Sequence, residues 1–79
     1  MNYDCDRVDE MVLALLYLTS SHDEYGTKAW KGMDLAALNR LFLKGYIGDP
    51  KGKTAAVPLT EKGAKLSQKL FFSYFGIKE

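Results

Sequence analysis

A chain of 79 residues that is 47% apolar, with ten aromatic side chains, has the makings of one small folded domain. That composition argues against disorder outside the ends, and no apolar run reaches the roughly 18 residues of a membrane span. The net charge of +1 is unevenly spread, with one basic and six acidic side chains in residues 1–27 and ten basic and four acidic in residues 28–79.

A domain of this size buries only roughly 60% of the surface its unfolded chain exposes. Sharing surplus apolar side chains with a second copy is one route to stability. Cys5 is the sole cysteine, so no disulfide forms within the chain. The absence of a basic, apolar leader before or within the run MVLALLYL leads to a cytoplasmic expectation. The positive later part could attract polyanions. Mutual attraction between the two parts and simple solubility account for the same asymmetry.

The spacing predicts a first helix over residues 6–21, capped by Asp6, with Asp9 and Glu10 at the favourable end of its dipole. Val8, Met11, Val12, Leu15 and Leu18 recur at three and four. Leu13, Leu16 and Tyr17 widen that stripe beyond what one packing partner needs. Residues 22–33 are irregular. Gly26 and Gly32 punctuate them, and alternation around Lys28 and Trp30 suits a short strand over about 27–31. Trp30, the largest apolar side chain, is expected as a core anchor; base stacking is its alternative role.

A second helix is predicted over residues 34–44, capped by Asp34 and stopped by Gly45. Leu35, Leu38, Leu41 and Phe42 form its inward stripe. Ala36, Ala37, Arg40, Leu43 and Lys44 face outward, with Asn39 at the margin. Residues 46–48 and 53–59 then read as a β-hairpin around the turn Asp49-Pro50-Lys51-Gly52. Pro58 cannot donate a ladder bond and marks an edge. Thr60 caps a third helix, which Gly76 ends. Its apolar side holds Gly63, Leu66, Ser67, Leu70, Phe71, Tyr74 and Phe75, whereas Phe72 points with the polar set.

The order Lys44-Gly45-Tyr46-Ile47, hairpin, Leu59-Thr60-Glu61-Lys62-Gly63, helix resembles the winged helix-turn-helix superfamily over roughly residues 34–75. The whole chain also resembles a small bacterial family of unknown function, through Val12 to Leu18, Ala29-Trp30-Lys31, the Lys44 to Ile47 turn, Asp49-Pro50 and the Leu59 to Gly63 cap. The resemblance implies one α+β winged-helix-like domain over residues 1–79: three helices, a β-hairpin wing and a short first strand. Only the twelve residues 22–33 separate the first helix from Asp34. The scaffold helix of the superfamily is therefore expected to be shortened or absent.

Two functions from different classes stay open, with DNA binding, the superfamily's default, ahead of the alternative. In the first, a DNA-binding regulator, Asn39, Arg40 and Lys44 sit in the recognition-helix position and Lys51 and Lys53 on the wing, where lysines meet phosphate and position without specifying. Lys62, Lys65 and Lys69 add a basic stripe on the last helix. An ordinary solvated surface accounts for the same lysines. In the second, a non-catalytic interaction module, the surplus of Leu13, Leu16, Tyr17, Phe71, Phe72, Tyr74 and Phe75 forms a homodimer interface. Closing a monomer core is the alternative use of those side chains. Catalysis has little basis. His22 lies in the polar run Ser20 to Glu24 and makes no triad with sequence neighbours. Cys5, between Asp4 and Asp6, is a poor nucleophile. No metal-ligand spacing or phosphate loop is present, so neither metal nor cofactor is expected.

Overall fold

A computed structural model describes residues 2–77. They form a small α+β fold, with three helices against a three-stranded antiparallel sheet. Helix α1 spans Cys5–Leu16, and Asp4 rather than Asp6 caps it by accepting from Arg7 N at 3.1 Å. The helix stops five residues before the expected end. A 3-10 turn, Tyr17–Thr19, follows it. The hydroxyls of Thr19 and Ser20 donate back to the carbonyls of Leu16 and Tyr17, at 3.4 and 2.7 Å. Such local bonds offer the backbone an alternative to another helical turn.

The chain then enters a hairpin. Strand β1, Ser21–Asp23, pairs with β2, Gly26–Trp30, across a two-residue loop. Asp23 accepts from Tyr25 N, and Gly26 takes the positive φ of 118° that the tight return requires. The sequence indicates β2 within one residue but gives no sign of β1, whose three residues are polar and exposed.

Helix α2, Leu35–Leu43, begins on the Asp34 cap and ends at Gly45, whose φ is 83°. Its buried residues are Ala37, Leu38 and Leu41. Leu35 and Phe42 face outward, and Ala37 faces in, so the helix is turned from the expected orientation. The cause lies in α1: Arg40 and the cap residue Lys44 bond its Asp9, which turns that side of the helix inward.

Strand β3, Ala56–Leu59, pairs with β2 from Thr27↔Leu59 to Trp30↔Ala56. The other half of the expected hairpin shrinks to one bridge, Ile47↔Leu59. Pro58 explains the shrinkage. Its carbonyl accepts from Gly48 N at 2.8 Å, so its missing N–H faces the 46–48 segment and not β2. The turn at 49–52 forms as expected, with Asp49 accepting from Lys51 N. Lys31 pins it by donating to the carbonyls of Pro50, at 2.9 Å, and Gly52.

Helix α3, Glu61–Phe75, starts where Thr60 accepts from Gly63 N at 2.9 Å. The Thr60 hydroxyl also reaches the carbonyl oxygens of Gly45 and Tyr46, at 2.8 and 3.1 Å. Ala29, Val57 and Leu59 turn inward from the sheet to meet Val12, Leu13 and Leu16 of α1, Leu38 and Leu41 of α2, and Ile47. Leu66 and Leu70 of α3 pack against this core. Trp30 does not join it: alternation along β2 sends Ala29 inward, and Trp30 is 54% exposed.

Candidate functional site

Two constellations stand out, and both involve α1. The first begins with Asp9, which is 1% exposed. Arg40 Nε lies 2.8 and 2.9 Å from its two oxygens, and Arg40 Nη2 is 2.8 Å from Oδ1. Lys44 Nζ donates to Asp9 Oδ2 at 2.9 Å and to Asp6 Oδ1 at 3.0 Å. A buried carboxylate needs such partners. The hydrogen bonds from Arg40 and Lys44 to Asp9 raise the pKa of each cation, with the Asp6 bond the next contributor for Lys44. Arg40 and Lys44, the residues expected to read DNA, are thus committed to α1. Asn39 is half-buried, whereas Lys51 and Lys53 stand exposed on the turn.

Asp9 was legible as an anomaly. It precedes Val12 and Leu13 by three and four residues, so it lies on the buried stripe of its own helix. Reading it only as a first-turn dipole partner misses that placement.

The second constellation is a run of five aromatic rings. Phe71 stands 5.2 Å from Tyr17, 5.5 Å from Phe72 and 5.2 Å from Phe75, centroid to centroid. Tyr17 also meets Phe72 at 5.5 Å, and Tyr74 meets Phe75 at 6.3 Å. Tilted and edge-to-face pairs at these distances are favourable. Phe72, Tyr74 and Phe75 remain 53%, 40% and 43% exposed. Leu13 and Leu16, grouped with them from sequence, sit instead in the core at 1% and 0% exposure. The cluster is therefore built by α3 and the end of α1, without those two leucines.

Tyr74 fastens the cluster to α1, because its hydroxyl donates to Glu10 Oε2 at 2.7 Å. That bond holds the Tyr74 pKa above its ordinary value, with partial burial acting the same way. A raised pKa in the folded state contributes stability that is fully present below the unfolded value, about 10 for tyrosine and for lysine slightly higher, and is lost above it. Thermal melts are therefore expected to be insensitive to pH from 7 to about 9 and to fall above about 10, as Tyr74 and then Lys44 lose their protons. Tyr74→Phe should remove the tyrosine share of that fall.

The remaining chemistry-bearing residues do not assemble. His22 Nδ1 is 2.8 Å from Thr27 Oγ1 on the exposed hairpin, and Cys5 is an exposed free thiol. Among the described residues no three His, Cys, Asp or Glu side chains are grouped to hold a metal ion. No helix among them is long and apolar enough to cross a membrane.

The family model for a domain of unknown function, DUF6429, matches residues 4–77. The chain is also similar to uncharacterized protein y4hR of Sinorhizobium fredii (strain NBRC 101917 / NGR234). The two are 41% identical over 75 residues, which span 95% of this chain and 97% of that protein. No solved structure matches the chain. With nearly its whole length matched, the chain belongs to the DUF6429 domain family.

Proposed function

We propose that this protein is a non-catalytic interaction module that pairs with a second copy of itself through the rings of α3 and the end of α1. The observation that carries this reading is the contiguous cluster of Tyr17, Phe71, Phe72, Tyr74 and Phe75, three of which remain open to solvent. At roughly 200 Å² per large side chain, the open parts of Phe72, Tyr74 and Phe75, with exposed Leu18 next to Tyr17 in the chain and Ile77 two residues after Phe75, come to roughly 550 Å². Complete coverage of these side chains in two copies would bury at most roughly 1,100 Å², the lower end of what a specific interface needs. A reversible dimer follows, with the exposed thiol of Cys5 suited to a reducing cytoplasm.

The scaffold we favour is winged-helix-like. Strand β3 lies between β2 and Ile47, and α3 follows directly on the Thr60 cap. Residues 21–30 form a hairpin where the superfamily has its scaffold helix. Regulation through duplex DNA is the second reading, favoured by the exposed Lys51 and Lys53. It is the weaker one because Arg40 and Lys44 are neutralised by Asp9 and Asp6.

Light scattering at high micromolar concentration should return twice the chain mass. Phe72→Glu with Phe75→Glu should return the chain mass with an unchanged circular dichroism spectrum. A wild-type monomer under those conditions refutes the module. Random duplex DNA should bind weakly at low salt. A steep salt slope that Arg40→Ala abolishes would favour the regulator instead.

A further inference from the structure

We infer that the outer face of the sheet, centred on Trp30, binds single-stranded nucleic acid by stacking bases on its aromatic rings. The inference does not depend on the ring cluster, which belongs to α3 and the end of α1. Alternation along β2 places Lys28 and Trp30 together on the outer face, with buried Ala29 between them. Their partners on β3 are Pro58 and Ala56, so the surface around the indole is low. The six-membered ring of Trp30 lies over Gly32, where any Cβ would overlap it. That glycine lets the indole lie down on the backbone while the side chain stays 54% exposed.

A second ring lies along the same strand direction. Tyr25, at the hairpin tip, is 90% exposed, and a groove of about 180 Å³ joins it to Lys28 and Pro58. Tyr25 lies in the turn just before β2 and Trp30 closes the strand, so the two are at most roughly 17 Å apart along the chain, a span that suits a few nucleotides.

The charge is complementary. Lys31 pins the turn at 49–52 to the end of β2, which brings Lys51 and Lys53 to the Trp30 end of the sheet. Among the described residues Lys28, Lys51 and Lys53 make no ion pair. The carboxylates nearest in the chain to this end, Asp34 and Asp49, accept from backbone N–H groups. Asp23 lines the Tyr25 groove and Glu24 is beside it at the hairpin tip, so phosphate contacts belong to the Trp30 end and the Tyr25 end offers stacking alone. A ligand for this face must carry negative charge and planar rings open on both sides. A single strand offers both, a duplex hides its base faces, and an acidic peptide lacks the rings.

Trp30 is the only tryptophan, so its fluorescence reports directly on the face. Titration of the protein with a short oligothymidylate at low salt should quench it. Affinity should fall with added salt, with a slope of about −0.7 per phosphate neutralised. Followed by anisotropy of a labelled strand, Trp30→Ala should weaken binding about tenfold, the scale of one lost stacked base. The exposed position of Trp30 leaves the core intact in that variant, which circular dichroism checks. Lys51→Ala with Lys53→Ala should make the salt slope shallower. The inference is overturned by absence of quenching at low salt, by unchanged affinity in folded Trp30→Ala, or by equal competition from duplex or polyglutamate.

Discussion

Replacing Gly63 with alanine is expected to cost at least about 3 kcal/mol and to lower the melting temperature by roughly 12–24 °C. Intrinsic propensity predicts the opposite sign, since alanine is favoured over glycine inside a helix by about 1 kcal/mol. Packing decides against it. Gly63 is buried, and a Cβ there would overlap the carbonyl oxygen of Tyr46 and lie 2.6 Å from its carbon. The obstacle is backbone, held by Thr60 N donating to Tyr46 O at 3.0 Å, so it cannot swing away as a side chain would. Relief requires α3 to lift from the 46–48 segment, loosening the Thr60 cap and the seating of Leu66 and Leu70. A domain of this length holds about 4–12 kcal/mol in total, so the variant should be partly unfolded at 37 °C. Gly52→Ala is the control: a Cβ there meets nothing within 4 Å, and the change should stay within about 0.5 kcal/mol. Denaturant melts of the two variants, compared with wild type, measure both signs.

Gly63 also shows which kind of information the chain carries on its face. The Thr60 cap, the Asp34 cap, the Gly45 stop and the Asp49 turn are each written in neighbouring residues, and each forms as expected. Their chemistry is local, so periodicity and turn residues reveal it. The orientation of α2 is a different matter. Its apolar residues nearly encircle it, and only contact with α1 selects Ala37, Leu38 and Leu41 over Leu35 and Phe42. Strand β1 is invisible for a related reason: its polar, exposed residues carry no alternation, and only pairing with β2 makes them a strand. Trp30 misleads through its size, because strand parity and not hydrophobicity decides which way it points. The ring cluster was legible nearly in full, from Phe72 lying off the apolar side of its helix. Its membership needed the fold, because Leu13 and Leu16 are equally apolar and are consumed by the core.

Removing the Asp9 carboxylate should lower stability and raise affinity for duplex DNA together. Breaking a buried ion pair typically costs 3–5 kcal/mol, chiefly because the surviving charge is stranded. Here the survivors are not stranded. The Arg40 and Lys44 side chains are 28% and 37% exposed, and Lys44 lines a cleft of about 350 Å³ between the helices that can admit water. Asp9→Ala should therefore cost less, about 2–3 kcal/mol. Asp9→Asn should cost less again, because it keeps an acceptor for Arg40. The same substitution releases two cations, Arg40 and the cap residue Lys44, on the side of α2 that faces α1. If they then meet phosphate, the salt slope for random duplex should steepen by up to about 1.8, at about 0.9 for each phosphate neutralised. Arg40→Ala in the wild-type background should leave the slope unchanged, because that guanidinium is already spent on Asp9. The pair of results separates two accounts of α2. If Arg40→Ala weakens wild-type binding, the ion pair opens on DNA and α2 is a reading helix. If only the Asp9 variants gain affinity, α1 silences the face that its own position would otherwise present, and the module has given up duplex DNA for packing.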